Sequence, residues 1–242
     1  MEYKRIKIPK KNGLYRLVYS VDDDTKNELR KLLPLLERIF VKTDKLNINY
    51  GFLKGKNCVL NAFQHIGYNF TLSMDLTDFF DSVKRHHLEG IVDDVILNKC
   101  LIEGTPKQGL PTSPLLANIA FMTFDKKIFH KLQKLGLKST YTRYADDLTF
   151  SFNNQNDSGK IQFVVAQVLR SSGFSINHRK TKLQNAKNGR RIITGIGVDK
   201  NGIHPKRKTR KKIRAAHHQK NISSLIGLLE WEKCKFPNNI WN

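Results

Sequence analysis

The sequence has 242 residues and a formal net charge of +22, from 43 Lys and Arg against 21 Asp and Glu. The length allows one large domain with a smaller appendage. The charge predicts a polyanionic partner, with nucleic acid favoured over an anionic membrane surface. No apolar run of about 18 residues could span a bilayer, and the N-terminus lacks the apolar core of a secretory signal. Three widely spaced cysteines (Cys58, Cys100 and Cys234) exclude a Cys-only zinc site and suit the reducing cytoplasm.

The first predicted elements alternate between strands and helices. Residues 3–19 predict two strands around the turn "KKNG", because Asn-Gly supplies the backbone angles of a hairpin turn. A helix should follow over residues 25–40, interrupted near Pro34. Residues 58–67 predict a second helix, and the next apolar strand should end at Asp75, before a short helical turn through "TDFFDSV".

The second half continues the mixed pattern and ends in a basic segment. This mixture of helices, short strands and hairpins predicts an α+β fold. From Lys200 to Lys220, nine residues are Lys or Arg and none is acidic. The predicted elements are a helix over 86–99, a Gly- and Pro-rich loop over 103–114, a long helix from Ser113, a hairpin over 141–152, a helix over 158–172, short strands within 174–183 and 190–199, and an amphipathic helix running toward Trp231.

The segment "YTRYADDLTFSF", residues 141–152, places two aspartates among strand-forming residues. Asp is common at tight turns, so a purely structural hairpin turn is one interpretation. The other is a metal site, because adjacent strands would bring Asp75 and Asp146 to one edge of the sheet. Two carboxylates about 4 Å apart repel by roughly 4 kcal/mol at an effective dielectric near 20, and a divalent cation removes that repulsion. A strongly basic protein with such a pair would be a polymerase or a nuclease.

Four motifs in order resemble the palm motifs of reverse transcriptases: "MDLTDFF" (74–80), "QGLPTSPLLAN" (108–118), "YADD" (144–147) and "GFSINHRKT" (173–181). The resemblance implies a right-hand polymerase fold, with fingers and palm over residues 1–198 and a short basic thumb over 199–242. It also implies that Asp75, Asp146 and Asp147 bind two Mg²⁺ ions. A hydroxyl activated by one of these ions would then attack the α-phosphate of a deoxynucleoside triphosphate.

The same resemblance implies residues that bind the incoming nucleotide. Phe80 matches the aromatic steric gate that excludes a ribose 2′-hydroxyl, although a core Phe is the structural alternative. Lys11 and Arg16 resemble the residues of the fingers that grip the triphosphate; a solvated basic hairpin is the alternative.

Two further positions complete the expected nucleotide site. Gln108 and Gly109 resemble the loop beneath the nascent base pair, where Gly permits close backbone approach. Lys180 resembles the lysine near the pyrophosphate leaving group, and an exposed loop Lys is the alternative. Lys107 stands where the family commonly has Pro.

Two short signatures point to the retron group. "NAFQH", from Asn61 to His65, matches its Asn-Ala-x-x-His signature, and "ITG", from Ile193 to Gly195, resembles its Val-Thr-Gly signature. Asn61, His65, Thr194 and Gly195 are therefore expected to take part in RNA binding, with a buried hydrogen-bonded pair as the alternative for the first two. The basic segment should bind RNA through phosphates and 2′-hydroxyls. Its candidate residues are Lys206, Arg207, Lys208, Arg210, Lys211, Lys212 and Arg214.

The retron resemblance implies a function and partners. The enzyme would copy part of a structured non-coding RNA into branched multicopy single-stranded DNA, an RNA–DNA hybrid used in defence against phage. It would do so in the cytoplasm, without membrane attachment, and with an effector protein encoded nearby as a further partner. The alternatives are a group II intron-like or abortive-infection-type reverse transcriptase, and a non-catalytic RNA-binding polymerase relic.

Overall fold

The computed structural model describes residues 2–9, 13 and 15–234, and its mixture of helices and antiparallel sheets agrees with the predicted α+β class. The helices are α1 (Asp23–Lys31), α2 (Leu33–Thr43), α3 (Cys58–Phe63), α4 (Phe79–Ser82), α5 (Asp94–Cys100), α6 (Ser113–Lys134), α7 (Asp157–Leu169), α8 (Arg207–His218) and α9 (Ile222–Glu232). The strands are β1 (Lys4–Pro9), β2 (Tyr15–Ser20), β3 (Phe70–Asp75), β4 (Ser139–Tyr144), β5 (Asp147–Phe152), β6 (Lys182–Asn185), β7 (Arg191–Ile193), β8 (Ile196–Val198) and β9 (Ile203–Pro205).

The chain forms two compact units, each assembled from three segments. The first unit comprises Met1–Asn47, Leu76–Ile128 and Ala166–Ser175. The second comprises Ile48–Asp75, Phe129–Val165 and Ile176–Asn242. The strands β8 and β9 pair across residue 198 within the second unit, and the boundary predicted there stays a prediction.

In the first unit, β1 and β2 form the predicted antiparallel hairpin. Most of its turn, residues 10–12 and 14, lies outside the described residues. The break predicted near Pro34 is confirmed: α1 ends at Lys31, and Pro34 lies in the first turn of α2, where a missing backbone N–H is tolerated. Phe79, Phe121 and Phe174 pack in an aromatic cluster, with ring centroids 5.0–6.1 Å apart.

The predicted helix over residues 86–99 is wrong in its first half. The chain makes a short 3₁₀ turn, Arg85–His87, and α5 begins only at Asp94. Gly90 has φ 73° in the intervening turn, and the Asp93 carboxylate accepts a hydrogen bond from the Val95 N–H at 2.8 Å. A glycine in the left-handed region ends a helical segment, and an N-cap residue begins the next helix.

In the second unit, an antiparallel four-stranded sheet has the order β4–β5–β3–β6, and a three-stranded sheet has the order β7–β8–β9. Val59 and Ala62 of α3 pack against buried Ile193, Ile196 and Val198 of the smaller sheet. The single helix predicted after the basic segment is two helices, α8 and α9, separated at Lys220 with φ 53°.

Candidate active site

The end of the larger sheet holds the three candidate carboxylates. Asp75 is the last residue of β3, and Asp147, the first residue of β5, lies directly opposite it in the antiparallel register. Such partners point to the same face, with Cα atoms about 4.5–5.5 Å apart. Asp146 belongs to the two-residue turn between β4 and β5, so the predicted hairpin with aspartates at its tip is confirmed.

The turn that carries Asp146 is strained and closely supported. Ala145 has φ 57°, in the left-handed region that L residues avoid. A Cβ atom at Gly51 would lie only 2.4 Å from the Ala145 N atom, so only glycine fits against the turn. The fully buried Arg143 donates a hydrogen bond to the Ala145 carbonyl at 3.2 Å, and the Tyr50 N–H donates to the Arg143 carbonyl at 2.8 Å. Gly51 and Ala145 are distant in the chain, so no sequence pattern indicates this contact.

The electrostatics of the carboxylates indicate concentrated negative charge. Burial raises the pKa of Asp147 to about 6, and repulsion from Asp146 and Asp75 adds to this effect. Lys180 and Lys206 act in the opposite direction. Burial and repulsion both disfavour the ionised Asp147 carboxylate. A bound cation would offset both effects.

Lys180 lies at the first carboxylate. Its Nζ donates to both Asp75 oxygens, at 2.7 and 3.0 Å, and this bond raises the pKa of Lys180. The Asn177 N–H donates to the Asp75 carbonyl at 2.7 Å, and the Lys180 N–H donates to the Asn177 carbonyl at 3.0 Å. A tight turn fixed to the end of β3 therefore presents Lys180 to the site.

A cavity of about 430 Å³ lies beside Asp147. Ser73 and Thr149, which pair across β3 and β5, line it together with Asp147 and three lysines, Lys180, Lys182 and Lys206. The Thr194–Gly195 turn closes one side. A floor of small hydroxyl side chains beside lysines suits a sugar–phosphate strand.

His65 is buried at the centre of a hydrogen-bond network beneath the strands of the larger sheet. Its Nδ1 lies 2.9 Å from Ser151 Oγ and its Nε2 lies 2.7 Å from Thr142 Oγ1. Ser151 Oγ lies 2.7 Å from Thr71 Oγ1, which accepts from Arg191 Nη1 at 2.9 Å, and Arg191 Nη2 donates to the His65 carbonyl at 2.8 Å. Burial, with a smaller contribution from Arg191, lowers the pKa of His65 to about 3.

Hydroxyl groups satisfy both nitrogens of the His65 ring. The neutral ring donates through one nitrogen and accepts at the other, and the Ser151 and Thr142 hydroxyls can each donate or accept. The network joins β3, β4, β5 and β7 to the chain segment after α3.

The two retron signatures meet in the second unit. The Asn61 side-chain amide donates to Thr194 Oγ1 at 3.3 Å, and Thr194 Oγ1 donates to the Cys58 carbonyl at 3.1 Å. Asn61 and His65 have no exposed surface, and the expectation that they take part in RNA binding stays a prediction. They bond to other elements and not to each other. Thr194 and Gly195 do line the cavity beside Asp147.

Two residues of the first unit that were expected to bind the incoming nucleotide, Phe80 and Arg16, differ in their exposure. Phe80 is half-buried beside the fully packed Phe79, so Phe79 takes the core position and Phe80 does not. Arg16 is exposed on β2. Lys11 lies outside the described residues.

The expected loop beneath the base pair packs on β2 of the same unit. The Tyr19 N–H donates to the Gln108 carbonyl at 2.7 Å. Gly109 has φ 113°, and a Cβ there would lie 2.2 Å from the Tyr19 carbonyl oxygen. Lys107, in place of the common Pro, is buried and donates to an Asp81 oxygen at 2.8 Å. Gly109 thus serves a close backbone contact with β2, and its expected place beneath the nascent base pair stays a prediction.

The basic residues of α8 cover its exposed surface. Ala216 is buried against the rest of the unit. Lys206 occupies the N-cap position of the helix and is half-buried at the cavity beside Asp147, whereas the other basic residues are exposed. The exposed ones are Arg207, Lys208, Arg210, Lys211, Lys212 and Arg214.

The donor set suits a hard divalent cation, because carboxylate oxygens are the ligands that Mg²⁺ prefers. The pKa of Asp147 is raised first by burial and then by the like charges of Asp146 and Asp75. Among the described residues, no three Asp, Glu, His or Cys side chains are grouped so that they could hold a metal as arranged. The Lys180 ammonium bonds both oxygens of Asp75.

Comparison with known proteins decides the family. The chain matches the family described as reverse transcriptase (RNA-dependent DNA polymerase) over residues 8–211. It is 31% identical to the retron Ec73 reverse transcriptase of Escherichia coli, over 81% of this chain and 68% of that protein. The chain belongs to the retron-type reverse transcriptases.

Other relatives of this retron-type reverse transcriptase agree. The retron Ec86 reverse transcriptase of Escherichia coli is 32% identical over 76% of this chain and 59% of its own length. The retron Mx65 reverse transcriptase of Myxococcus xanthus is 27% identical over 97% of this chain and 62% of its own length. The chain thus spans about three fifths of the length of these two relatives.

Solved structures show the fold. A telomerase from Candida albicans superposes with a TM-score of 0.62 at 13% identity, covering 84% of this chain and 46% of that one. A foamy viral protease–reverse transcriptase gives a TM-score of 0.58 at 18% identity, covering 96% and 36%. The retron-type chain therefore has the right-hand polymerase fold that its motifs predicted. None of its described helices is long and apolar enough to cross a membrane.

Proposed function

We propose that this protein is an RNA-directed DNA polymerase that copies part of a structured non-coding RNA into branched single-stranded DNA. The observation that carries the proposal is the pairing of Asp75 with Asp147 at one sheet end, beside the turn that holds Asp146. Its substrates are deoxynucleoside triphosphates, its partners are the RNA and the DNA product, and its location is the cytoplasm. Defence against phage, with an effector protein encoded nearby, is part of the same proposal.

Two Mg²⁺ ions would be held by Asp75, Asp146 and Asp147. When bound, they supply a lowered pKa for the attacking hydroxyl and charge stabilisation for the departing pyrophosphate. The reverse transcriptase family depends on divalent metal in general. The contribution of the protein itself is to position the reactants.

The protein residues hold the reactants in place. The strained Ala145 turn, fixed by Gly51 and Arg143, sets the position of Asp146. Lys180 neutralises Asp75 in the described arrangement and would transfer its hydrogen bonds to a phosphate of the bound nucleotide. Phe80, half-exposed beside the packed Phe79, would exclude the 2′-hydroxyl of a ribonucleotide.

Replacing one carboxylate tests the metal assignment. Asp146→Asn should abolish Mg²⁺-dependent extension of a DNA primer on an RNA template, by about 100-fold or more, because a neutral amide is a poor Mg²⁺ ligand. Binding of the same hybrid should change by less than about threefold, since the fold is kept. Asp157→Asn, at the start of α7, is the control and should extend normally. An active Asp146→Asn variant would refute the metal site.

The nucleic acid that copurifies with the protein distinguishes this proposal from the alternative functions. Sequencing the nucleic acid that copurifies with the protein should give one structured RNA joined to DNA. An RNA without DNA, from a wild type that extends no primer, would favour the polymerase relic. DNA made without any template would favour the abortive-infection type, and bound intron RNA the group II type.

A further inference from the structure

A buried lysine joins the loop after α5 to the short helix α4 in the first unit. Lys107 Nζ donates to an Asp81 oxygen at 2.8 Å and lies 4.0 Å from a Glu103 oxygen. The Lys107 side chain is only 11% exposed, whereas that of Asp81 is 60% exposed. The ammonium also lies 5.4 Å from the centre of the Tyr19 ring, in β2. Lys107 is thus enclosed by a strand, a loop and a helix of one unit.

The Lys107 ammonium keeps its charge in these surroundings. Burial lowers the pKa of Lys107, but the hydrogen bond and charge of Asp81 outweigh burial, with smaller contributions from Tyr19 and Glu103, so the pKa is raised. A largely enclosed ammonium needs a fixed acceptor, because an unpaired buried charge is costly. The Asp81 carboxylate is the acceptor at hydrogen-bond distance.

The loop that carries Lys107 is fixed independently of Asp81. Ile102 and Thr105 exchange two backbone hydrogen bonds, of 3.0 and 3.1 Å, before the lysine. After it, the Tyr19 N–H donates to the Gln108 carbonyl at 2.7 Å. The loop is therefore tied to itself on one side of Lys107 and to β2 on the other, so it provides a fixed point for α4.

Helix α4 has only four residues, and such a short helix is not stable without tertiary contacts. The preceding Asp78 has φ 42°, so the backbone leaves the right-handed region directly before the helix. Phe79 packs in the aromatic cluster, and Asp81 accepts the bond from Lys107. At about 100° per residue, these two side chains lie roughly 200° apart around the helix axis. The helix is thus held on opposite sides, and Phe80 lies between the two held residues.

We propose that the ion pair between Lys107 and Asp81 positions the Phe80 ring and thereby sets how strongly the enzyme rejects ribonucleotides. The inference rests on the proposed polymerase function, in which Phe80 excludes the 2′-hydroxyl. Contacts on both sides of α4 prevent the helix from rolling about its axis, and a roll would move the half-exposed Phe80 ring. Displacements of about 1 Å are enough to change a rate strongly. The family commonly has Pro in place of Lys107, and Pro has no side-chain donor for Asp81.

Two single variants remove the ion pair from either side. Lys107→Met keeps a long side chain against Tyr19 but removes the ammonium, and Asp81→Ala removes the acceptor. In primer extension on an RNA template, kcat/KM for a ribonucleotide should rise about tenfold in each variant. The kcat/KM for the matching deoxynucleotide should change by less than about threefold. Glu103→Ala is the matched control, because it removes the other carboxylate near Lys107 but lies outside α4, and it should keep the wild-type selectivity.

A double variant separates a coupled pair from two independent effects. Lys107→Met combined with Asp81→Ala should relax selectivity no further than either single variant, because both remove the same interaction. Tm should change by less than about 4 °C in each, since a partly exposed ion pair contributes little stability. Equal losses of activity with both nucleotides, together with a larger fall in Tm, would show a purely structural role and refute the proposal. Unchanged selectivity in both single variants would also refute it.

The position of the ring can be measured without catalysis. Incorporation of 4-fluorophenylalanine at position 80 gives one ¹⁹F resonance, recorded in EDTA without nucleotide. The resonance should shift or broaden in Lys107→Met and in Asp81→Ala, and it should be unchanged in Glu103→Ala. A resonance that is the same in all four proteins would contradict the positioning of Phe80, whatever their activity.

Failure of the polymerase function is read separately. A wild type that extends no primer would refute that function, and the ¹⁹F resonance would still decide whether the pair positions Phe80. Phe80→Ala should relax selectivity at least as far as Lys107→Met does, and adding Lys107→Met to it should have no further effect. A Phe80→Ala protein that extends primers and rejects ribonucleotides like the wild type would overturn the proposal, since the pair is proposed to act through this ring.

Discussion

At the scale of single residues, the environment of Asp147 disfavours its ionised form. Burial and the neighbouring carboxylates raise its pKa to about 6, so its ionised form at neutral pH is destabilised in the folded protein without metal. Asp147→Asn removes this charge and should raise Tm in EDTA by about 2–4 °C for each kcal/mol of repulsion relieved. Extension should fall at the same time.

Thermal unfolding in EDTA measures the effect. Asp24→Asn, at an exposed position in α1, is the control and should leave Tm unchanged or slightly lower, because it removes a favourable helix N-terminal charge. A lower Tm for Asp147→Asn would show that the carboxylate makes a stabilising bond, against the argument from its pKa.

His65 should make the protein sensitive to acid. Its pKa is about 3 when folded and its ordinary value is 6.5, so the folded state does not bind the proton that the unfolded state takes up. The stabilising effect is fully present above pH 6.5 and is lost as pH falls toward 3. Between pH 7 and pH 5 this one residue should lower the free energy of unfolding by about 2 kcal/mol.

Urea unfolding at the two pH values checks this expectation. His65→Gln should be less stable at pH 7, because the buried network is incomplete, but should lose about 2 kcal/mol less between pH 7 and pH 5. His130→Gln, at an exposed histidine of α6, should keep the wild-type dependence. An unchanged pH dependence in His65→Gln would contradict a neutral buried imidazole.

At the scale of elements, the turn between β4 and β5 depends on the backbone around Gly51. A methyl group there would meet the Ala145 N atom at 2.4 Å, so Gly51→Ala must shift the turn that carries Asp146. Displacements of about 1 Å can lower a rate about 100-fold. The kcat for extension should therefore fall by about tenfold or more, with hybrid binding retained.

Gly159→Ala is the matched control. Gly159 lies in α7, where an added Cβ meets nothing within 4 Å, so this substitution should leave kcat unchanged and stabilise the helix slightly. Primer extension with varied deoxynucleotide concentration separates kcat from KM. A Gly51→Ala variant with wild-type kcat would show that the turn tolerates the shift.

Much of the element order was predictable from sequence, because β3, β5 and the long α6 carry strong local signals. The motif order also placed Asp75 and Asp146 at neighbouring strand ends. The helix predicted over 86–99 was wrong because a left-handed Gly90 interrupts it. The fit of Gly51 against Ala145 could not be predicted, since it is a contact between distant segments and a lone loop glycine carries little information.

The signature residues show a different limit of sequence interpretation. Asn61 and His65 were expected to take part in RNA binding, with a buried hydrogen-bonded pair as the alternative, and both are buried. A motif indicates that residues matter but not whether they contact a ligand or hold the elements that do. The Asn61 bond to Thr194 favours the second explanation, because Thr194 itself lies at the cavity.

At the scale of the whole molecule, the chain does not divide where its composition changes. The basic segment begins near Lys200, but β9 pairs with β8 from Ile196↔Pro205 to Val198↔Ile203. Ile196 and Val198 are fully buried in the cluster around α3. The start of the basic segment is therefore packed within the second unit.

Two truncated chains test this continuity. A chain ending at Val198 loses β9 and leaves one edge of β8 unpaired and its apolar side chains uncovered, so it should aggregate or unfold at a much lower temperature. A chain ending at Lys206 also lacks α8 and α9 but keeps the β8–β9 pairs, and it should unfold cooperatively. Calorimetry and size-exclusion chromatography of both chains measure the difference. Equal Tm values would show that β9 adds nothing to the unit, and the fingers-and-palm boundary at residue 198 would then stand, because stability would not depend on the strand that crosses it.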